Sequence, residues 1–370
     1  MLYEYMRGFG FTNEEISTIV CSHPVRRYKN ESLYENIKSL FEYLLSIGYS
    51  KTNILKMVKL HPGLCCYSPE IINEKVKFLI SLGYTKEEVL KMTVVSSSMF
   101  GLSIDNIKSK INNLLELGYT REEIIKQIKR FPQIFNLSVE NIKNVHIFLK
   151  KLGLNDFQVR KIINSKPNLY GYNISFLEEK INEMIDIGYS KADIVKIVRV
   201  FPSILALGID RIKKRIDELE EFGYTKEEAF YITKTFPAIY SYDIDSMREK
   251  INGIVMLGYS YEDSRNIILA LSSIFGLNID TIREKKEFYD MIGLSDVFIV
   301  KPKYLIQSVE LSYARYMFYK DRGIDIDMSN YSILFISQGN FYKKYKIDKI
   351  DILELYNYNR DCVLSKKKVI

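Results

Sequence analysis

A glycine recurs along this chain with a spacing that leaves few folds open. Gly10, Gly48, Gly83, Gly118, Gly153, Gly188, Gly223, Gly258 and Gly293 are each followed by an aromatic residue or Leu and then by Ser, Thr or Asn. The first interval is 38 residues and the next seven are 35. A fixed period of this length marks a repeat array, in which each unit stacks on its neighbours instead of folding alone. Fourteen residues after most of these glycines stands a proline: Pro24, Pro62, Pro132, Pro167, Pro202 or Pro237, with Ser97 and Ser272 in that place twice. The last interval is shortened rather than broken. Pro302 follows Gly293 by 9 residues and Gly323 follows Pro302 by the usual 21, so five residues are missing from one helix and the array continues.

Each period reads as two helices and a turn. The glycine ends one helix in the left-handed conformation, and the Ser, Thr or Asn two residues on caps the next. An acid or amide three residues later completes a capping box at Thr12/Glu15, Thr85/Glu88, Thr120/Glu123 and Thr225/Glu228, with near variants at Asn155/Gln158, Ser190/Asp193 and Ser260/Asp263. The short helix that follows stops at the proline, which cannot donate the next hydrogen bond. A brief apolar piece such as Ile134-Phe135 or Ile204-Leu205 then reads as a 3₁₀ turn. Six residues past the proline position a second cap (Ser68, Ser103, Ser138, Asn173, Asp243, Asn278, Ser308; Gly208 once) starts a long helix. Its apolar stripe has helical spacing, as in Ile107, Ile111, Leu114 and Leu117. The expected fold is an all-α superhelical solenoid of helix–helix–3₁₀ repeats. Residues 1–323 form about nine repeats, and 324–370 a C-terminal cap with a basic tail, Lys366-Lys367-Lys368.

Composition narrows the function. The chain has 370 residues and 47% hydrophobic content, enough for a core, and no run approaches the ~18 apolar residues of a membrane span. Residues 1–7 show neither an apolar leader core nor an Arg/Ser-rich, acid-poor leader, so a cytoplasmic protein is expected, or a matrix protein if this is a mature organellar form. Cys21, Cys65, Cys66 and Cys362 have no metal-site or disulfide spacing. No phosphate-binding loop, nucleophile elbow, zinc-protease or calcium-loop motif is present, so neither enzyme activity nor a cofactor or metal is expected.

The pattern of Pro, apolar turn, Ser/Asn-x-Asp/Glu, helix, Leu-Gly-Tyr-Ser/Thr and helix resembles the mitochondrial transcription termination factor (mTERF) family. The closing segment strengthens the likeness. Lys301-Pro302-Lys303-Tyr304-Leu305, Ser308-Val309-Glu310 and Ala314-Arg315-Tyr316 are similar to that family's Pro-x-x-Leu, Ser-Leu-Glu and Pro-Arg-Tyr elements, with Ala314 where Pro is usual. Gly339-Asn340-Phe341-Tyr342-Lys343-Lys344-Tyr345 is similar to its Phe-bearing end. The resemblance implies an all-α superhelix whose basic groove binds nucleic acid, in transcription or RNA processing. Without a visible transit peptide, a bacterial or otherwise non-organellar member fits as well.

The net charge is only +7, so what matters is whether the cations are arranged. Two columns emerge. The first, eight residues before each glycine, holds Lys75, Lys110, Lys180, Arg215, Lys250, Lys285 and Arg315, with Leu40 and Val145 as exceptions. The second, eight and eleven residues after the glycine, holds Lys56, Lys59, Lys91, Lys126, Lys129, Lys161, Lys196, Arg199 and Lys234, with Arg130 adjacent. Such columns would track a phosphate backbone without reading sequence. Duplex DNA or structured RNA is the expected partner of a monomer, and replacing Arg215, Lys250 and Lys285 by Ala should weaken binding to all sequences. The bland account is also physical. The helix dipole favours cations in a last turn, and a Lys beside a core stripe can lay its stem over apolar surface. Gln127, Asn164 and Asn266 could read base edges, or be ordinary surface polar residues. The alternative function is a protein-interaction scaffold; it gains if the first column is paired within the array, for example by Glu179, Glu249 or Glu284.

The tyrosines after the glycines (Tyr49, Tyr84, Tyr119, Tyr189, Tyr224, Tyr259) are expected to pack, their hydroxyls capping backbone groups. His23 and His61 read as ring-shaped filler before the proline, Cys65-Cys66 as a buried pair, and His146 as a core residue.

Overall fold

A computed structural model describes residues 1–358; the Lys366–Lys368 tail and Cys362 lie outside the described residues. The chain forms two compact units, 1–205 and 206 onward. Among the described residues all regular structure is helical.

In the first unit the short helices are Asn13–Cys21, Lys51–Leu60, Lys86–Val95, Arg121–Arg130, Asp156–Ser165 and Lys191–Val200. The long helices are Asn30–Ile47, Pro69–Ser81, Ile104–Glu116, Val139–Leu152 and Ile174–Asp186. Between them run the 3₁₀ turns Pro62–Cys66, Ser97–Gly101, Pro132–Asn136 and Pro167–Gly171. Like packs on like. Lys51–Leu60 lies on Lys86–Val95, Val139–Leu152 on Ile174–Asp186, and each of these turns on the next. The stripe residues Ile107, Leu114, Ile124, Ile128, Ile194 and Ile197 are all buried. Each fully buried Ile or Leu contributes about 1.5–3 kcal/mol, realised only when the neighbouring repeat covers it.

The second unit repeats the scheme with short helices Lys226–Thr235 and Tyr261–Ala270, long helices Ile209–Glu221, Ile244–Met256, Ile279–Met291 and Val309–Lys320, and turns Pro237–Ser241, Ser272–Gly276 and Pro302–Ile306. The short helix of the contracted repeat is a single turn, Val297–Val300, at the place where the sequence lacks five residues. The register also runs past Gly323. A turn at Tyr331–Phe335 is followed by the cap Ser337 and the helix Gln338–Tyr345, so this end piece is a repeat that has lost its short helix. The helix Lys349–Leu355 closes the unit against Val309–Lys320.

The local signals act as the residues dictate. Every repeat glycine from Gly10 to Gly323 has φ between 68° and 120°, a region that side chains other than glycine's enter only under strain. Reciprocal capping boxes form at Thr12, Ser50, Thr85, Thr120, Asn155, Ser190 and Thr225. Ser260 accepts its bond without the reciprocal one. Ser68 makes no side-chain cap bond; Pro69, pre-set for a first helical turn, follows it.

The glycine-following tyrosines are buried as expected, but only some of their hydroxyls cap backbone groups, and that of Tyr259 is buried without a hydrogen-bond partner. Tyr84 donates to the Ile125 carbonyl and Tyr224 to the Arg265 carbonyl, each at 3.3 Å, and Tyr49 pairs with the Thr93 hydroxyl at 2.5 Å. Cys65 is buried but Cys66 only half so, and burial pushes the Cys65 thiol well up. His61 is half-buried, 3.2 Å from the Tyr67 hydroxyl, whereas His23 is exposed and fills nothing.

Candidate nucleic-acid interface

The two cation columns have different fates. The first column, eight residues before each glycine, does not stand in solvent. Lys75, Lys110, Lys180, Arg215, Lys285 and Arg315 are buried, and Lys250 is half-buried. Most of their cations face the next repeat's turn. Lys110 donates to the Phe135 carbonyl, Lys250 to Leu277, Lys285 to Leu305 and Arg215 to Tyr242. Arg315 reaches the Leu334 and Ile336 carbonyls at 2.8 and 2.7 Å. These acceptors lie at the end of a 3₁₀ turn, where carbonyls lack a partner of their own. Burial lowers the pKa of Lys110, Lys250, Lys285, Arg215 and Arg315.

The two exceptions support this reading. Where Leu40 and Val145 replace the cation, Asn36 and Asn141 one turn earlier donate to the corresponding turn carbonyls, Cys65 at 2.5 Å and Tyr170 at 2.7 Å. A column of phosphate contacts would have no need of such substitutes. Lys110, Arg215, Lys250, Lys285 and Arg315 are therefore corrected from ligand contacts to staples between repeats, while Lys75 and Lys180 are buried beside acids of their own helices. Lys180 and Arg215 also bond acids on their own helices, Glu183 at 2.7 Å and Glu218 at 2.9 Å. Lys75 stands 3.6 Å from Glu74. Of the acids named as partners, Glu179, Glu249 and Glu284, none makes these bonds.

The second column divides. At the position eleven residues after the glycine, Lys59 bridges back to Glu15 at 2.5 Å and Lys129 to Glu88, so both cations join neighbouring short helices. Arg130 donates to the Asn164 carbonyl at 2.8 Å. Lys234 is half-buried, and Arg199 is exposed. At the position eight residues after the glycine, Lys56, Lys91, Lys126, Lys161 and Lys196 are all exposed. Only Lys91 has an acid, the exposed Glu87 one turn before it at 2.7 Å. The other four have no ion pair among the described residues. Neither three nor four residues before Lys56 and Lys161 does an acid stand, so none is placed to neutralise these two from within the helix; Lys196 has Asp193 three residues before it.

These five lysines occupy the same position on five successive short helices of the first unit. At about 8–10 Å per packed helix the row extends over roughly 35 Å, close to one turn of a DNA duplex. In the second unit Tyr231 and Asn266 take the place.

A third column escapes the sequence reading. Three residues after the glycine stand Lys51, Lys86, Arg121 and Lys191, all exposed. They are the first residues of their helices, where the dipole disfavours a cation, so helix stability does not account for them. The signal is a register position, hidden because Asp156 interrupts it. Lys51 is partly engaged, donating to the Gly8 carbonyl at 3.0 Å.

Two of the candidate base readers bond each other. Gln127 donates to Asn164 at 2.6 Å and Asn164 to Glu123 at 2.5 Å. Asn266 is exposed. His146 lies in the core between two hydroxyls, Tyr119 at 3.1 Å and Tyr170 at 2.9 Å, and burial lowers its pKa to about 4. It borders a cleft of about 500 Å³ with Lys143, Lys150 and Arg160, in which Lys150 is bonded to Asp156 at 2.5 Å.

The fold defines a helical-repeat protein, and its first unit carries an exposed row of lysines in register. A family comparison agrees in class: the mTERF sequence model matches residues 2–116, 105–219 and 209–342. The chain belongs to the mTERF family, and membership points to a nucleic-acid-binding repeat protein. No curated protein matches the chain. Among the described residues no helix is long and apolar enough to cross a membrane.

Proposed function

We propose that the protein binds nucleic acid, double-stranded DNA first, through the exposed lysines of the first unit's short helices, and acts in transcription regulation, termination or RNA processing. The observation that carries the reading is the row Lys56, Lys91, Lys126, Lys161 and Lys196, exposed in register over five repeats. Phosphates along a duplex offer a matching row of charge, and each contact releases counterions. The cations at the starts of the short helices, Lys86, Arg121 and Lys191, extend the same field. Gln127 is bonded to Asn164 and Asn164 to Glu123, and lysine–phosphate contacts read no sequence, so the affinity is general rather than sequence-specific.

The test is binding to a mixed-sequence duplex at several salt concentrations. Affinity should fall linearly on a double-logarithmic plot, at about 0.9 log unit per tenfold salt for each phosphate contact. Salt-insensitive binding, or none, would refute the reading. A protein-interaction scaffold is the second reading, and the internal use of the first cation column favours it. A neutral partner protein captured with no response to salt would support it.

A further inference from the structure

The last two 3₁₀ turns each depart from a pattern kept by the seven turns from Pro62–Cys66 to Ser272–Gly276; the first turn, Val25–Arg27, stands outside it with Arg26 and Arg27. Two residues past the proline position stand Leu64, Met99, Ile134, Leu169, Ile204, Ile239 and Ile274, all aliphatic or Met and all buried. In the turn Pro302–Ile306 that place holds Tyr304, which is half-exposed. Four residues past the proline position most turns carry a small residue such as Gly101, Gly171, Ser241 or Gly276, but Tyr331–Phe335 carries Phe335, also half-exposed. The Tyr304 and Phe335 rings stack face to face, 3.7 Å apart and 2° from parallel, and Tyr331 meets Tyr304 edge-on at 6.0 Å.

Cations depart from the pattern at the same place. One residue past the proline position those seven turns hold Gly63, Ser98, Gln133, Asn168, Ser203, Ala238 or Ser273, whereas the turn Pro302–Ile306 has Lys303; Lys301 precedes the proline, as Lys166 precedes Pro167. Both lysines are exposed, and neither has an ion pair among the described residues. The Lys303 ammonium stands 5.6 Å from the Tyr304 ring centroid. A mere end cap needs polar groups facing out. Phe335 also stacks on the buried Tyr289, 5.7 Å away and 27° from parallel, so it backs Tyr304 and has no face of its own to offer. A half-exposed Tyr304 backed in this way and flanked by unneutralised cations serves another purpose: it offers a π-face to a base and a charge to the phosphate beside it.

We infer that Tyr304, backed by Phe335 and flanked by Tyr331, forms with Lys301 and Lys303 a stacking platform in the second unit for an unpaired base of single-stranded nucleic acid. A base inside a duplex is stacked on both faces and offers no free face to the platform, so the site selects single strands or strand ends. The inference shares with the proposed function only the class of ligand. It uses different residues, in the other unit.

The chain contains no tryptophan, so Tyr304→Trp installs a single indole at the platform. Stacking of a base on it quenches its fluorescence. The variant is titrated with a fifteen-nucleotide oligo(dT), an oligo(U) of that length and a duplex of that length, while a labelled strand reports binding by anisotropy. Saturable quenching by either single strand, and little by the duplex, is expected. Lys301→Gln with Lys303→Gln should shift the quenching midpoint several-fold higher. Tyr304→Leu should lower single-strand affinity at least about fivefold while duplex affinity is kept, which also shows that the variant is folded. Single-strand binding without quenching, or equal quenching by the duplex, overturns the platform and leaves the duplex reading standing. Loss of duplex binding alone would instead refute the lysine row.

Discussion

At the scale of single residues, the same side-chain chemistry serves opposite ends according to depth. Lys110 and Lys126 are both lysines on amphipathic helices. Lys110 is buried against the Phe135 carbonyl, and Lys126 stands in water. Lys110→Met and Lys285→Met keep the aliphatic stem but leave a turn carbonyl without its donor. Each should cost about 1–3 kcal/mol in urea unfolding and leave the salt dependence of nucleic-acid binding unchanged. A reduced salt slope with unchanged stability would restore the phosphate reading of this column.

His146 makes a second residue-scale prediction. Its folded pKa, about 4, lies below the ordinary 6.5, so between these values the unfolded chain binds a proton that the native core excludes. Stability is therefore full above pH 6.5 and falls as pH drops toward 4, by as much as about 3 kcal/mol. His146→Phe, the residue that Phe41 supplies at the same register position, should flatten that dependence. Unfolding midpoints between pH 7 and 5 that do not differ between the two proteins would refute it.

At the scale of elements, caps decide where helices begin. The Thr120 hydroxyl accepts the Glu123 N–H at 3.2 Å while the Glu123 carboxylate accepts the Thr120 N–H at 2.9 Å. Thr120→Ala should cost about 1 kcal/mol in thermal or urea unfolding. Ser68→Ala should cost far less, because Ser68 caps nothing and Pro69 sets the first turn. Equal losses at the two sites would show that the caps are not what starts these helices. These boundaries are legible in the sequence because a cap, a glycine and a proline each act within a few residues. The end piece is not. It retains Ser337 and the turn but lacks the proline and the short helix, so residues 324 onward look aperiodic until Tyr331–Phe335 is seen to occupy the turn position.

At the scale of the whole molecule, the two units place their exposed cations differently. The first unit carries the five-lysine row, whereas on the long helices of the second unit Arg248 and Arg283 are answered by acids three residues earlier. Arg248 lies 2.7 Å from Asp245, and Arg283 pairs with Asp280. Replacing Lys56, Lys126, Lys161 and Lys196 together by Ala should lower the salt slope of duplex binding by about 0.9 for each phosphate that is no longer neutralised. Replacing Arg248 and Arg283 should change it much less. Equal effects would mean that net charge, rather than the row, governs binding.

The period, the helix starts and stops, the contracted repeat and the family are all properties of the sequence alone, because each rests on interactions between residues close along the chain. Which cations are buried and which are exposed was decided only by tertiary structure. A column eight residues before the glycine and one eight residues after it look alike in sequence, since both sit beside an apolar stripe. Which of them meets solvent depends on the neighbouring repeat. Stacking brings a turn with orphan carbonyls over Lys110, Lys250, Lys285 and Arg315, and nothing over Lys56, Lys126, Lys161 and Lys196.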